Sequence, residues 1–318
     1  MKHLLIDGLN FFIRAFTANP AMCTNGEHIG GCLGFLLGMN KLIRENNPDN
    51  VIVIWDGEGG SVKRRSLFKD YKAGRTPRLN REYDMEDKDS QLASFRKQLS
   101  MLDTYFESIP ITSIKVKGIE ADDIIAYLCN FIIDKNEKKL IVSSDKDFYQ
   151  LLDENTMIYI PTQKKYFTSL DLVEKLSILP ENYIYMKALC GDKSDNIDGI
   201  KGIGPKTTLK LFPFLGDHHI DIEELFEYAD KNSKTNNKYE SVIKARKLII
   251  GNIDLMQLTD PLMNPLAAKS IRVKVSEKKF VYKPTEIKMQ LFRDGIQLKA
   301  HDFFFILKEL HHRVNKRS

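Results

Sequence analysis

Carboxylate side chains recur at several places along the chain where they could act together. Asp7, Asp56 and Asp145 each come just after a short apolar run. Such runs are typical of buried parallel strands, and the carboxyl ends of parallel strands meet at one edge of a sheet. The sequence therefore predicts that these three carboxylates lie close together. The other acidic positions of interest are Glu120, Asp122, Asp123, Asp147, Asp192 and Asp195.

Each of these acids taken alone also has a structural explanation. An aspartate after a strand is commonly a turn former or a helix N-cap, and acids are favourable in the first turn of a helix. Taken together, so many carboxylates at one sheet edge would repel each other without cations. We expect two Mg²⁺ or Mn²⁺ ions, because the sequence has no clustered histidines or thiols for zinc. A two-metal site of this kind suits phosphodiester chemistry.

An α/β fold is needed to position these acids, and the first half of the chain has the pattern of one. Apolar runs alternate there with segments of helical spacing, which predicts a mostly parallel sheet flanked by helices. Ligands of such sheets bind beyond the carboxyl ends of the strands. The predicted strands cover 3–6, 51–55, 111–116, 140–143 and 157–160, and the predicted helices cover 29–44, 121–133 and 148–152.

The second half of the chain is predicted to be helical. Helical spacing covers 170–178, 181–189, 206–212, 222–229 and 239–249, and a last apolar helix covers 303–310. The polar segment 231–238 lacks periodicity and is predicted to be a loop. We therefore divide the chain into a catalytic domain at 1–167, a helical subdomain at 168–260 and a basic C-terminal extension at 261–318.

Charge is strongly separated along the chain. The net charge is only +5, but residues 63–81 carry +7 and residues 269–318 carry +8, so the remainder is acidic at −10. A basic segment in an otherwise acidic chain suggests that a polyanion is held by the bases and metal ions by the acids, although solvated surface is the common alternative for any one charge run.

The composition argues against several other protein classes. Hydrophobic residues make up 42% of the chain and charged residues 29%, which is typical of a folded globular protein. The four cysteines form no metal-binding or disulfide pattern. The N-terminal apolar run is too short for a signal peptide, and no run is long enough to span a membrane. We expect a cytoplasmic protein that makes no membrane contact.

The glycine-rich segment 199–208 has the spacing of a phosphate-binding hairpin. Its sequence Gly-Ile-Lys-Gly-Ile-Gly-Pro-Lys-Thr-Thr places glycines for a tight turn and Pro205 at a first helical position. Backbone N–H groups there, with Lys206 and Thr207, could hold a phosphate, although a simple surface turn is the alternative. Contacts to phosphate carry no base information, so the predicted binding is independent of DNA sequence.

Seven motifs in order resemble those of the 5′-nuclease family. This family includes flap endonucleases, phage 5′–3′ exonucleases and RNase H enzymes, and the 5′-nuclease domain of bacterial DNA polymerase I. The resemblance runs from Ile6 to about Lys210 and rests on Ile6-Asp7-Gly8, Trp55-Asp56-Gly57, Tyr71-Lys72-Ala73-Gly74-Arg75, Gly118-Ile119-Glu120-Ala121-Asp122-Asp123, Ser143-Ser144-Asp145-Lys146-Asp147-Phe148, Gly191-Asp192-Lys193-Ser194-Asp195-Asn196 and the hairpin.

The resemblance implies a fold and a metal centre. It implies a PIN-like domain, a basic arch at about 57–92 under which a single-stranded 5′ end passes, and a helix-hairpin-helix (H3TH) motif that holds the duplex, with K⁺ as a further candidate ion there. It also implies the ligands of two metal ions. The first set is Asp7, Asp56, Glu120, Asp122, Asp123 and Asp145, and the second is Asp147, Asp192 and Asp195, with Asp145 between the two sets.

Roles in DNA binding follow from the same resemblance. Lys72 and Arg75 match arch positions that stabilise charge on the scissile phosphate, and with Asp145 they form the predicted catalytic set. Tyr71 is expected to stack on a base or else to pack in an apolar helix. Arg14 matches an arginine near the threaded strand, with an exposed helix charge as the alternative. Further DNA contacts are expected from Arg64, Arg65, Lys69, Lys201, Gly202, Gly204, Lys206 and Thr207.

The expected function is that of a structure-selective 5′ nuclease of DNA replication or repair. Its substrates would be DNA with a single-stranded 5′ end, a flap or a nick, with an RNA–DNA hybrid as an alternative. A non-catalytic DNA-binding factor and a PIN-type ribonuclease are the competing hypotheses. Nine acidic positions favour catalysis over the first, and the second explains fewer of the acids and leaves the hairpin and the +7 segment unexplained. We expect a stand-alone monomer without a polymerase domain, whose residues beyond 261 extend the DNA footprint or bind a replication partner.

A clamp-binding motif near the C-terminus is the less favoured reading of that region. Gln297, Phe303 and Phe304 have the outer spacing of such a motif, but Ala300 stands at its central aliphatic position. We therefore expect 303–306 to pack on the core instead.

Overall fold

A six-stranded sheet lies at the centre of the computed structural model, which describes residues 1–74, 79, 81, 87–276, 280–298 and 300–316. The strand order is β3-β2-β1-β4-β5-β6, and all neighbours are parallel except the β5–β6 pair. The predicted mostly parallel sheet is thus confirmed. The strands are β1 (Lys2–Asp7), β2 (Asn50–Trp55), β3 (Thr112–Lys115), β4 (Lys138–Val142), β5 (Thr156–Ile160) and β6 (Lys165–Phe167).

Fourteen α-helices are found among the described residues. They are α1 (Gly8–Ala18), α2 (Gly30–Asn46), α3 (Val62–Leu67), α4 (Lys88–Phe106), α5 (Ala121–Tyr127), α6 (Ser169–Leu176), α7 (Tyr183–Cys190), α8 (Pro205–Leu211), α9 (Ile222–Asn232), α10 (Asn237–Lys244), α11 (Arg246–Met256), α12 (Pro265–Ser276), α13 (Pro284–Arg293) and α14 (Ala300–Asn315). Two short strands, β7 (Gly191–Asp192) and β8 (Ile197–Asp198), pair antiparallel between α7 and α8.

The central strands carry apolar runs, 4–6 in β1, 51–55 in β2 and 140–142 in β4, because helices cover both faces of the sheet. Along β1, Leu4 and Ile6 face one apolar cluster, which includes residues of α1, α2, α4, α13 and α14. Leu5 faces the other, which includes residues of α5 and the second half of the chain. Successive side chains of a strand point to opposite faces, so one short run anchors both layers.

Helices α1 and α2 approach each other closely because α2 carries glycines on the contacting face. A methyl group at Gly31 would lie 2.7 Å from the ring of Phe12, and one at Gly38 would lie 2.7 Å from the ring of Phe11. Larger side chains at these positions would push α1 away. Since α1 begins directly after β1, this packing also fixes the end of β1 at the carboxyl edge of the sheet.

The helical half of the chain begins at α6 behind a capping box. The Thr168 hydroxyl accepts from the backbone N–H of Asp171, and the Asp171 carboxylate accepts from the backbone N–H of Thr168. Helices α7 and α11 are tied together by the buried side chain of Asn252, which donates to the carbonyls of Ala188 and Asp198. Asn252 thus also ties α11 to β8 of the short ribbon.

Several predicted boundaries differ from the structure. The helix predicted at 121–133 is α-helical only to Tyr127 and continues as a π-helical turn, Leu128–Ile132. The predicted loop 231–238 shortens to four residues, because α9 runs to Asn232 and the side chain of Asn236 caps α10. The helix predicted at 239–249 is two helices separated at Ala245.

The C-terminal region packs on the sheet domain. Phe303 of α14 is 1% exposed within the cluster around α2, which confirms the predicted core packing at that position. Within the described part of the chain, no helix is both long and apolar enough to cross a membrane.

Candidate active site

Asp7 and Asp56 lie at the carboxyl ends of two adjacent strands, as predicted. Asp7 ends β1 and caps α1, accepting from the backbone N–H of Asn10 at 3.2 Å. Asp56 follows β2 and accepts from the backbone N–H of Ala121 at 2.8 Å, which ties it to the start of α5. Desolvation and then the charge of Asp56 raise the pKa of Asp7 to about 7. The two carboxylates are therefore close enough to repel each other.

A buried hydroxyl orients the next carboxylate. Ser143, which is fully buried, donates to Asp7 Oδ2 at 2.8 Å and accepts from the backbone N–H of Asp145 at 3.1 Å. Asp145 is exposed, and its side chain accepts from the backbone N–H of Asp147 at 2.9 Å. Ser143 thus fixes Asp145 relative to Asp7. Ser143 stands in a family motif but is not among the predicted site residues, because a hydroxyl carries no charge pattern.

Three acids at the start of α5 form a compact cluster. One oxygen from each of Glu120, Asp122 and Asp123 lies within 4.8 Å of the others. Carboxylate oxygens are the ligands that Mg²⁺ and Mn²⁺ prefer, so the donor set fits a hard divalent ion. Asp122 is the most accessible of the three, with its side chain 23% exposed against 7% for Glu120 and 3% for Asp123.

The cluster has an internal counterion in Arg64. The guanidinium is 3% exposed and donates to both oxygens of Asp123, at 2.7 and 2.9 Å, and to Glu120 at 2.5 Å. Burial opposes the charge of Arg64, but these carboxylates and Asp122 raise its pKa well above the usual range. The prediction that Arg64 contacts DNA phosphate is therefore wrong, because its side chain is enclosed by acids.

Tyr71 and Lys72 also turn toward Glu120. The Tyr71 ring is 2% exposed, and its hydroxyl donates to Glu120 Oε2 at 3.2 Å. Tyr71 is thus enclosed by protein in this structure, but in a turn after α3 rather than in the predicted apolar helix, and its stacking on a base stays a prediction. Lys72 Nζ donates to Glu120 Oε1 at 2.6 Å and lies 3.9 Å from Asp195 Oδ2. Its ammonium sits between carboxylates of the two predicted sets.

Backbone contacts hold Lys72 in this place. Its φ of 52° is in the left-handed region, and its N–H donates to the Asp195 carbonyl at 3.1 Å. The side-chain amide of Asn196 donates to the carbonyls of Asp70 and Ala73. The base of the predicted arch is therefore tied to the loop that carries Asp195.

A lysine also lies inside the second acidic set. Lys187 of α7 donates to Asp147 Oδ1 and, at 3.0 Å, to Asp192 Oδ2. Desolvation and then Asp145 raise the pKa of Asp147 to about 7. For Asp192, desolvation opposes ionisation, but Lys187 and Ser194 lower the pKa to about 2. Lys187 was not predicted, although a lone charge in the apolar run of α7 is a signal for it.

The hairpin presents its predicted residues at the surface. Gly202 has a φ of 79°, which requires glycine, and Gly204 caps α8 ahead of Pro205. Lys201 and Lys206 are exposed and Thr207 is half-buried. Added Cβ atoms at Gly202 and Gly204 would meet nothing within 4 Å, so the approach to this turn is open.

The remaining predicted DNA contacts are spread around the site. Arg14 is half-buried on α1 and lines a groove of about 340 Å³ with Lys41 and Lys164. Arg65 and Lys69 are exposed, and Arg65 donates to the Tyr71 carbonyl at 3.2 Å. Arg75 lies outside the described residues, as do the other positions of the predicted arch at 76–78, 80 and 82–86.

Family models and relatives agree with this architecture. Residues 2–177 match the N-terminal resolvase-like domain of the 5′-3′ exonuclease family, and residues 178–279 match its C-terminal SAM fold. A 5′-3′ exonuclease of Aquifex aeolicus is 31% identical over 68% of this chain and 71% of its own length. The flap endonuclease Xni of Shewanella woodyi is 32% identical over 70% of this chain and 82% of its own length.

Longer proteins share the same region. DNA polymerase I of Thermus thermophilus is 32% identical over 79% of this chain, which spans only 29% of that polymerase. Among solved structures, the bacteriophage T5 D15 flap endonuclease, in complex with DNA and metal ions, superposes with a TM-score of 0.64 at 17% identity, covering 97% of this chain and all of that one. That likeness supports the fold, and the two family models together account for most of the sequence. The chain therefore belongs to the 5′-3′ exonuclease family.

Proposed function

We propose that this protein is a structure-selective, sequence-independent 5′ nuclease that hydrolyses phosphodiesters of DNA. The observation that carries the proposal is that one carboxylate of each proposed set lies beside Lys72 Nζ, Glu120 at 2.6 Å and Asp195 at 3.9 Å. Phosphodiester cleavage needs ligands for metal ions and a positive charge that stabilises the negative charge developing on the phosphate. This part of the structure offers both. The relatives named as exonuclease and flap endonuclease support the same activity.

Mg²⁺ is the proposed metal, held by oxygen ligands alone. Bound there, two such ions would activate water and stabilise charge on the attacking and leaving oxygens. The first would be held by Asp7, Asp56, Asp145 and oxygens of the α5 cluster. The second would be held by Asp145 with Asp147, Asp192 and Asp195.

The chain's own residues would bind and orient the strand. Lys72 brings a positive charge beside the phosphate to be cut, and Arg75 is proposed to act with it. The hairpin residues Lys201, Lys206 and Thr207 would grip the duplex, while Arg14, Arg65 and Lys69 contact phosphates of the single strand. Selectivity would then come from the shape of the junction.

Cleavage of end-labelled substrates tests the proposal. We expect a 5′-flap or 5′-overhang duplex to be cut with Mg²⁺ and left intact with EDTA, while a blunt duplex is cut far more slowly. Product lengths on flap, nicked and RNA–DNA substrates would separate exonuclease from endonuclease action. Binding of a flap without cleavage in Mg²⁺ or Mn²⁺ would instead favour a non-catalytic DNA-binding factor.

Finer points remain predictions. These are K⁺ at the hairpin, a monomeric state, a cytoplasmic location, the domain limits 1–167 and 168–260, and a replication partner for the region beyond 261.

Binding to DNA should depend steeply on salt. The basic side chains proposed above to contact DNA would neutralise several phosphates and release counterions. The logarithm of the association constant should therefore fall linearly with the logarithm of the salt concentration. For about five phosphate contacts the slope would be about −4. Fluorescence anisotropy of a flap in Ca²⁺, at 50 to 300 mM KCl, measures it. A flat response would contradict binding dominated by phosphate contacts.

Replacing Asp7 by Asn should stabilise the metal-free protein. Folding raises the Asp7 pKa to about 7, so the ionised carboxylate lowers stability increasingly as pH rises from its unfolded pKa toward 7. Asn keeps the N-cap of α1 and removes the charge. In EDTA at pH 8 we expect a melting temperature higher by about 2–4 °C.

The gain from Asp7→Asn should shrink at pH 5.5, where the wild-type carboxyl is largely protonated. Asp217→Asn, at an exposed position, is the matched control and should change the melting temperature little at either pH. Equal changes in melting temperature for the two variants would mean that the ionised Asp7 carboxylate does not destabilise the folded protein.

A further inference from the structure

The buried side chain of Arg64 contacts the acidic cluster at the start of α5. Nη1 and Nη2 donate to the two oxygens of Asp123, and Nη1 also donates to Glu120 Oε2. Asp122 Oδ1 lies farther away, 3.6 Å from Nη1. The guanidinium thus engages two of the three acids directly and leaves the third outside its hydrogen bonds.

These contacts determine which carboxylate oxygens of the α5 cluster remain available to bind a metal ion. Both oxygens of Asp123 accept from Arg64, and one of them also accepts from the backbone N–H of Leu262 at 3.2 Å. Glu120 Oε2 accepts from Arg64 and Tyr71, whereas Oε1 accepts from the partly exposed ammonium of Lys72 at 2.6 Å. Asp123 is therefore committed to buried partners on both oxygens, whereas Asp122 lies outside the hydrogen bonds of Arg64 and Glu120 Oε1 is engaged only by the partly exposed Lys72.

The orientation of the guanidinium is set by the helical half of the chain. Arg64 Nε donates to the carbonyl of Leu255, on α11, at 2.8 Å. The rigid, planar fork of arginine then directs its other nitrogens at Asp123 and Glu120 together. A lysine at this position has a single ammonium and could not hold all of these partners.

We propose that Arg64 is a positioning residue that withholds Asp123 from metal coordination and leaves Asp122 and Glu120 as the ligands offered by α5. Arg64 also lowers the negative charge of the cluster, which weakens its attraction for a divalent ion. The inference rests on the proposed use of metal ions, and it revises the ligand set that the family resemblance implies for Asp123.

A double-mutant cycle on metal binding tests the proposal. Mn²⁺ binding is measured by titration calorimetry on the full chain without DNA, for the wild type, Arg64→Met, Asp123→Asn and the double variant. Arg64→Met should bind Mn²⁺ more tightly, because Asp123 becomes a ligand and the cluster gains negative charge. Asp123→Asn should then cost at least about tenfold more affinity in the Arg64→Met background than in the wild type.

Several outcomes would overturn the proposal. Equal cost of Asp123→Asn in both backgrounds would show that Arg64 does not shield Asp123. Weaker or unchanged Mn²⁺ binding by a folded Arg64→Met protein would contradict the charge argument. Lys63→Met removes an exposed charge from the same helix α3 and is the matched control. If it tightened binding as much as Arg64→Met, net charge rather than the buried contact would be responsible.

A second comparison covers the case in which Arg64→Met fails to fold. Asp122→Asn and Asp123→Asn both keep Arg64. We expect the first to lose at least about tenfold more Mn²⁺ affinity than the second, because of these two aspartates only Asp122 is proposed to be a ligand in the presence of Arg64. Equal losses, or a larger loss for Asp123→Asn, would overturn the proposal. If the wild type did not bind Mn²⁺ at all, the proposed metal use itself would be contradicted. If Mn²⁺ bound but the effects of Arg64→Met and Asp123→Asn on affinity were additive, only the role of Arg64 would be contradicted.

Discussion

Asp145→Asn is expected to slow cleavage of a 5′ flap by about a thousandfold or more. Asp145 follows β4 and lies between Asp7, to which Ser143 connects it, and Asp147, whose N–H it accepts. Its carboxylate is therefore the one best placed to serve both metal ions. Loss of metal stabilisation of the transition state is worth several kcal/mol, and about 1.4 kcal/mol corresponds to a factor of ten in rate.

Asparagine is a conservative test at this position because it keeps the hydrogen bond to Asp147 and the shape of the side chain. Single-turnover cleavage in Mg²⁺ measures the rate, and fluorescence anisotropy in Ca²⁺ measures flap binding, which should persist. Asp153→Asn, at an exposed acid in the loop before β5, is the control and should cut at nearly the wild-type rate. Unchanged turnover of Asp145→Asn would remove Asp145 from the active site.

Lys72→Met should lower the single-turnover rate by about a hundredfold or more, with a smaller effect on binding. The ammonium lies 2.6 Å from Glu120 and 3.9 Å from Asp195, so it stands where a phosphate would approach both carboxylate sets. Removing one preorganised group that stabilises developing charge typically costs about 10²–10³ in rate. Methionine keeps the length of the side chain and tolerates the same backbone position.

Comparing the effect of Lys72→Met on the cleavage rate with its effect on substrate affinity decides the role of Lys72. A contact made mainly in the transition state lowers the rate of chemistry, whereas a contact made equally in the ground state raises only KM or Kd. Lys63→Met, an exposed neighbour in the same basic segment, should change the rate less than Lys72→Met. A pure loss of affinity in Lys72→Met would assign Lys72 to strand binding instead of catalysis.

The two proposed roles for basic residues differ in kind. Lys72 is partly exposed and faces the cleft, so a substrate can compete for it. Arg64 is enclosed and satisfied by protein partners, so the role proposed for it is to position the metal ligands rather than to bind DNA. Both lie in the segment whose +7 charge first suggested phosphate binding, and only part of that charge is available to a polyanion.

Local patterns in the sequence were enough to predict the sheet and the acids at its edge. A fully buried parallel strand must be apolar along its length, so the runs before Asp7, Asp56 and Asp145 mark both the strands and their carboxyl ends. The same logic failed for α5, whose π-helical continuation depends on packing rather than on periodicity. It also missed Ser143, because a hydroxyl becomes an orienting group only when two carboxylates are placed around it.

What the sequence by itself determined is the family, the strand ends and the set of acids that converge there. Only the tertiary structure decided which neighbouring side chains face those acids. Arg64 and Arg65 are adjacent arginines on the six-residue helix α3, yet Arg64 is buried against Asp123 whereas Arg65 is exposed. Successive residues of a helix point about 100° apart, and the packing of α3 between α5 and α11 determines which one turns inward.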